Sequence, residues 1–485
     1  MKFLKKYMRN KFNLTFLVVL ILFIFINLPL ITRPPVDQHS WRQTDTASVI
    51  RNFQEESPNI LQPRIDMRQN YTGITGMEFP AYNYLVYLFN ILFGFQHWMG
   101  RVVTLLFSVA GLFFFFEFVK LRFNQREALL SSVLLMTFPI YIIFSKNIQP
   151  DIMMLSMFVG SLYFAQKYKA TKRVLFLFVT SVLFTLACLV KIPAVMLLPV
   201  FALVVPIEKK NKALITLLLL IFISVITGWY FYSNYLSHNF GLGEYFYGDY
   251  SLATTLALLP KYSFWFTISR YIFIKEFIVG LALPFLFFGA WTFYNKKEYL
   301  PLLWFVCSGT FLVLFASKSF YHNYYSLILL PPLALLLSKG ILWVSDHMKK
   351  TNLKVWKALC IVLFALALVI IPTLISKRYV NVKLKNYQLN LLLEEKLVEN
   401  IVPKNSLIIT NGNGSPAMLY FSHRKGWSLS NSNLLASPGP VLFDQGVNYI
   451  LLYDPPLELR DKLTDEGYIL LDKADQTYLF KLSQQ

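Results

Sequence analysis

The stretch Phe79-Pro80-Ala81-Tyr82-Asn83-Tyr84-Leu85-Val86-Tyr87-Leu88-Phe89-Asn90-Ile91-Leu92-Phe93 decides how this chain is laid out. It is apolar and aromatic, yet it holds only 15 residues, and about 20 are needed to cross a hydrocarbon core roughly 30 Å thick. Asn83, Tyr87 and Asn90 stand four and three residues apart, which aligns one polar stripe along a helix. Such a helix lies in the membrane interface instead of spanning it. Counting it as a span would move every later basic cluster to the opposite face.

On either side of it, apolar runs near span length recur. Hydrophobic residues make up 56% of the 485 positions and charged residues only 15%, against roughly 25% charge in a soluble domain. Backbone polar groups cannot stay unpaired in lipid, so these runs are expected to be helices. The reading is eleven transmembrane helices near 13–31, 98–119, 129–145, 151–167, 174–190, 192–207, 213–231, 277–294, 299–316, 323–344 and 356–375. The N-terminal run has basic residues before it but no small-x-small cleavage pattern after it, so an uncleaved first span is expected.

Net charge is +20. Six basic clusters, Lys2–Lys11, Lys120–Arg126, Lys167–Arg173, Lys209–Lys212, Lys296–Lys297 and Lys349–Lys357, hold 21 of the 46 Lys and Arg. With eleven spans all six fall on one side, which the positive-inside rule makes cytoplasmic. That distribution argues against a nucleic-acid partner, which would call for a basic patch on one soluble face. The implied location is the plasma (inner) membrane, with the N-terminus cytoplasmic. Residues 1–375 then form an all-α polytopic domain with a long first outer loop, 32–97. Residues 376–485, where charges, Asn and Gly return, form a small extracytoplasmic α/β domain. Its strands are expected at 407–410, 449–453, 468–471 and 478–482, and its helices at 389–401 and 457–463. Cys188, Cys307 and Cys360 all lie in apolar runs without metal spacing, which marks them as buried thiols.

The informative polar residues gather at the outer surface, since ionisable groups at membrane depth are costly and tend to be functional. Asp37 follows the rigid Pro34-Pro35 and could take a proton from an acceptor hydroxyl or amine. Asp45 is either a second such carboxylate or the cap of a helix over 46–55. His39 and Arg42 in the same string are candidate substrate-binding residues, and His39 has no second metal ligand at helical or hairpin spacing. Glu78 stands before the interfacial helix, where an acid also suits the helix dipole. Asp151 opens the fourth span. Lys318, His322, Tyr324 and Tyr325 suit a phosphate or pyrophosphate, although a snorkelling Lys in an aromatic belt would look the same. The aromatic stretch 234–276, with Trp265, Arg270 and Lys275, carries no pattern beyond an interfacial one.

Taken together, these residues resemble membrane glycosyltransferases of the GT-C superfamily, in the group of protein O-mannosyltransferases and lipid A aminoarabinose transferases. Asp37 with Ala47-Ser48-Val49-Ile50-Arg51-Asn52-Phe53 is similar to the family's acidic residue and amphipathic helix after the first span. Glu78-Phe79-Pro80, Asp151, and Lys318, His322 and Tyr324 ahead of Pro331-Pro332 follow in the family's order. The string Trp41-Arg42-Gln43-x-Asp45 looks like a bacterial family 39-like subgroup. The usual acidic pair is here Asp37-Gln38, so the resemblance leaves the base as either Asp37 or Asp45. It covers roughly residues 10–345.

The resemblance implies an inverting transfer of a sugar from a polyprenyl-phosphate donor to a lipid, glycan or protein acceptor at the outer membrane face, among membrane lipids. Relatives divide between metal-dependent and metal-independent enzymes, and no spacing here selects a divalent metal or any other cofactor. A transporter would place ionisable groups mid-span or break matching helices with Gly and Pro. A lipid-linked polysaccharide polymerase or ligase would carry Arg-rich outer loops. The span interiors here are nearly free of charge, and the outer loops mix acids, aromatics and Lys.

Overall fold

Apolar runs without charge have one way to satisfy their backbone in lipid, and they take it: most of the chain is helix. The computed structural model describes residues 7–240, 252–273, 276–348, 386–436 and 446–482. The expected eleventh span, 356–375, and Cys360 lie outside the described residues. The chain divides into two compact units. One comprises Met1–Ile31, Arg101–Trp229 and Asp249–Asn381, and the other Thr32–Gly100, Tyr230–Gly248 and Val382–Gln485.

The first unit is helical. Among the described residues, four helical stretches are long and apolar enough to cross a membrane: Lys11–Leu30, Met99–Arg122, Lys209–Phe240 and Asn323–His347. The last residues of the third stretch, from Tyr230, belong to the second unit. Helices Asp151–Thr171, Val174–Val190, Glu276–Asn295 and Leu300–Leu314 fall on further expected runs. Helices Glu276–Asn295 and Leu330–Met348 approach closely: a Cβ on Gly289 would meet the Leu336 carbonyl oxygen at 1.9 Å, and one on Gly340 the Phe285 oxygen at 1.9 Å. Small residues at such crossings are how membrane helices gain packing without a hydrophobic driving force. Cys188 and Cys307 are buried free thiols.

Three expected spans are interrupted. The run 129–145 divides into Gln125–Thr137 and Pro139–Phe144, because Phe138 precedes a proline and takes an extended conformation. The run 192–207 opens with a 3-10 turn over Ile192–Leu197, and Lys191 before it is extended at φ −152° and ψ 114°. The run 323–344 begins as a 3-10 helix, Asn323–Leu329, before Leu330–Met348. The expected span 213–231, by contrast, continues as helix to Phe240, so the aromatic stretch 234–276 opens in a helix and also contains helices Leu252–Leu258 and Tyr262–Phe273.

The second unit joins the first loop to the tail. Its sheet has the order β2-β1-β3-β5-β4, with β1 Leu407–Thr410, β2 Lys425–Ser428, β3 Val447–Tyr453, β4 Tyr468–Ala474 and β5 Thr477–Leu482. β1 pairs in parallel with β2 and β3, while β5 pairs antiparallel with β3 and β4. Ile409, Trp427, Val447, Ile450, Leu459 and Phe480 make its core. Four strands lie where alternating apolar residues place them. β2 was not expected, since Lys-Gly-Trp-Ser has neither the length nor the alternation of a strand. It sits at a sheet edge, and the first loop covers that edge. Gly426 N donates to the Asp66 oxygen, and Arg68 N and Gln69 N donate to the Gly426 oxygen at 3.1 and 2.9 Å. Only glycine fits there, at φ 145° with the Ile408 oxygen 1.9 Å from where a Cβ would stand.

The opening stretch folds as helix Ala81–Phe93. Its 13 residues are about 20 Å long at 1.5 Å per residue, short of the hydrocarbon core. Asn83 and Asn90 face inward and are buried, while Leu88, Ile91, Leu92 and Phe93 are exposed. Asn83 Nδ2 donates to the Thr46 oxygen at 2.9 Å, which docks this helix on Ser40–Glu55.

Candidate active site

Helix Ser40–Glu55 carries the acidic cluster. Twelve of its sixteen residues, Arg42 to Phe53, are buried although many are polar, so each buried polar group needs a partner. The helix begins at Ser40, preceded by His39 in the left-handed conformation at φ 57° with no side-chain cap. Asp45 is therefore inside the helix, and the expectation that it might cap a helix starting at Thr46 is corrected: the helix starts six residues sooner, after His39.

Arg42 holds two carboxylates. One nitrogen donates to Asp45 Oδ2 at 3.1 Å and another to Glu78 Oε1 and Oε2 at 2.9 and 3.2 Å. Burial pushes the Asp45 carboxyl up to about 6 against the pull of Arg42, with the Glu78 and Asp66 charges adding to the rise. Glu78 thus answers to an arginine, not to a helix dipole. Asp37 is treated differently. It is half-buried, and its Oδ1 accepts from Gln43 Nε2 at 2.6 Å while that amide also donates to the Gln38 oxygen at 2.8 Å. The Gln43 amide holds the orientation of this carboxylate. Deeper in the same helix, Arg51 donates to Asp66 at 2.5 Å and to the Tyr420 oxygen at 2.7 Å, and Asn52 donates to Asp66 at 2.9 Å.

The helical unit carries the cationic cluster. Asp151 is the first residue of helix Asp151–Thr171 and is buried. Its Oδ1 lies 3.9 Å from Nζ of Lys191, itself only 4% exposed. That separation is an ion pair but too long for a hydrogen bond. Lys191 Nζ also stands over the Tyr324 ring, 5.7 Å from its centre. The Tyr324 ring stacks on His322 at 5.4 Å and meets Tyr325 at 4.8 Å. Lys318 is half-buried on the short helix Ala316–Tyr321, and its carbonyl accepts from His322 N. The structure therefore places Asp151 and Tyr324 beside Lys191, with His322 and Tyr325 against the Tyr324 ring. Sequence reasoning missed Lys191, although a single lysine between two apolar runs was a readable signal. It also missed Lys146, whose Nζ donates to Asn27 Oδ1 at 2.8 Å and to the Ile142 oxygen at 2.7 Å. Fully buried Arg101 donates to the Lys146 carbonyl at 3.3 Å.

Residues 78–231 match the family described as dolichyl-phosphate-mannose-protein mannosyltransferase. No curated protein matches the sequence. Among solved structures, ArnT from Cupriavidus metallidurans bound to undecaprenyl phosphate matches with a TM-score of 0.62 at 12% identity, covering 96% of this chain and 99% of that one. The oligosaccharyltransferase AglB from Archaeoglobus fulgidus, in complex with an inhibitory peptide and a dolichol-phosphate, matches with a TM-score of 0.57 at 12% identity, covering 97% of this chain and 74% of that one. At this identity the likeness speaks to fold. Joined to the family match, it defines a membrane glycosyltransferase. Residues 78–231 carry the family match, and the fold over nearly the whole chain is shared with these two transferases.

Proposed function

We propose that this glycosyltransferase moves a sugar from a polyprenyl-phosphate donor to a lipid, glycan or protein acceptor at the outer face of the plasma membrane, with inversion at the anomeric carbon. The observation that carries the reading is Lys191, a buried cation 3.9 Å from Asp151 beside an aromatic cluster in the helical unit. A cation held this way suits the phosphate of a membrane-embedded lipid. The donors named for ArnT and AglB are consistent with it.

In the proposed reaction an acceptor oxygen or nitrogen attacks the anomeric carbon and its proton passes to Asp37. The bond from that carbon to the phosphate oxygen breaks, and the lipid phosphate leaves with the bonding pair. Lys191, with Lys318, His322 and Tyr324, would stabilise the negative charge that grows on it. Asp37 is favoured as base over Asp45 because Asp45 is buried against Arg42, while Asp37 is half-exposed. Glu78 and Arg42 would hold the loop in shape, and His39 and Tyr325 would border the substrates.

The full topology is part of the same proposal: eleven spans, a cytoplasmic N-terminus, and the first loop and tail both outside. The test of the donor is direct binding of undecaprenyl phosphate to the purified full-length protein. Lys191→Met should weaken it at least tenfold, the effect of losing one charge-assisted contact worth about 1.5–3 kcal/mol. Unchanged affinity in that variant would refute the phosphate site. For topology, cysteines placed at Asn70 and Ser415 should react with an impermeant reagent in intact cells. Reaction only after permeabilisation would refute the outward placement.

A further inference from the structure

Outside the residues assigned above, one cluster in the second unit has the composition of a metal site. His97 ends the first loop, Glu395 lies in helix Asn386–Glu399, and His423 follows helix Ala417–Phe421. Their ligand atoms all lie within 4.8 Å of one another. Glu395 Oε1 is 3.2 Å from His423 Nε2, and Glu395 Oε2 is 3.7 Å from His97 Nε2. Zinc bound at about 2.0–2.1 Å to each ligand sets neighbouring donors about 3.4 Å apart in a tetrahedron, so the His423–Glu395 edge is close to that length and the remaining donors need only a small inward shift.

Three further features separate this cluster from an ordinary ion pair. His423 Nε2 is buried and, although 3.2 Å from the Glu395 carboxylate, its contact there does not have hydrogen-bond geometry, which leaves this nitrogen able to ligate. His97 Nδ1 lies 2.8 Å from the Tyr420 hydroxyl. That is the outer contact that fixes a ligating imidazole's tautomer and leaves Nε2 for a metal. Finally, His423 adopts φ 52°, a conformation that a non-glycine side chain takes only at a cost. Glu395 and His423 also line a cavity of about 520 Å³, which would give an ion both an entry path and room for a water at a fourth position.

We propose that His97, Glu395 and His423 bind one zinc ion that clamps the tail to the end of the first loop. Two imidazoles and one carboxylate select a borderline d-block ion such as zinc over calcium or magnesium, which take oxygen ligands. Nothing in the transfer reaction is routed through it. Its three ligands come from positions 97, 395 and 423, so the ion would form only once loop and tail have met.

The experiment uses the full-length protein purified without chelator, incubated with zinc chloride, passed over a desalting column and measured for metal by plasma mass spectrometry. The expected content is about one zinc per chain, falling to background in the double variant His97→Ala, His423→Ala; zinc should raise the melting temperature of the wild type only, as for any ligand that binds the native state. Tyr420→Phe should keep the site but weaken zinc by about 10–100-fold. X-ray absorption at the zinc edge of the wild type should show two imidazoles with oxygen neighbours, which keeps the test valid where a variant fails to fold. Zinc-free wild type after incubation would overturn the proposal in favour of a plain His–Glu–His ion pair. Equal zinc in wild type and double variant would overturn it as well, by placing the metal elsewhere.

Discussion

The acidic cluster of the first loop and the cationic cluster of the helical unit solve opposite problems. In the loop, Arg42 grips Asp45 and Glu78 at hydrogen-bond distance. A planar guanidinium with fixed donors makes a rigid clamp that stays charged at every pH. In the helical unit, Lys191 stands 3.9 Å from Asp151 and leans on a tyrosine face. A compact ammonium on a flexible stem can change partners. The clamp reads as architecture, and the lysine beside the aromatic rings as the proposed phosphate contact. Within the loop the same contrast separates Asp45, locked to a cation, from Asp37, steadied by an amide.

The largest effect is expected where that contrast meets chemistry. Asp37→Asn keeps the shape and removes the basicity, and should lower turnover by about 10²–10⁴ while donor binding persists. Near-normal turnover would move the base to Asp45 or Glu78 and erase the distinction. Arg42→Ala should cost about 3–5 kcal/mol of stability, because two carboxylates lose the cation that compensates them. A thermal melt of the purified protein would show it, and a shift of under a degree would mean that the clamp is not structural.

Asp45 offers a finer test. Its carboxyl lies at about 6 in the folded protein against 3.8 in a free chain, so the folded state holds the proton more tightly. Below about pH 4 both states are protonated and the group contributes nothing to the pH dependence. Between about pH 4 and 6 the unfolded chain ionises this acid while the folded state keeps its proton, and stability falls. Melting temperatures of the wild type relative to Asp45→Asn should therefore decline between pH 4 and 6 and stay level above. A flat difference would show that Arg42 fully offsets the burial.

The smallest effect is expected at Lys318, half-buried one helical turn before His322. Lys318→Ala should weaken donor binding and slow transfer together by a few-fold, the scale of a partly screened charge contact. Lys318→Arg should restore only part, since a planar fork does not replace a point charge. Full activity with unchanged donor affinity would reduce Lys318 to a headgroup anchor and leave Lys191 as the main cation.

How far the sequence carries depends on the range of the interaction. Helix positions and four of five strands were legible, because apolar periodicity is written within ten or twenty residues. The breaks at Phe138 and Lys191 were written locally too, in the prolines that follow them. β2 was not, because Lys425–Ser428 becomes a strand only by lying between β1 and the first loop. Asp37, Asp45, Glu78 and Asp151 could be singled out as acids at the outer ends of apolar runs. Their different roles could not, since these depend on whether Arg42, Gln43 or Lys191 arrives beside them.

By itself, then, the sequence determined a polytopic helical membrane protein with a mixed α/β tail, because the free energy of apolar segments in lipid depends on composition alone. Only the tertiary structure decided which carboxylates Arg42 clamps, that Lys191 stands over Tyr324, and that His97 meets Glu395 and His423 across about three hundred residues of chain. Those are pairings of single atoms. A burial cost is set residue by residue along the chain, whereas an ion pair or a ligand set exists only when distant segments place their atoms within a few ångströms.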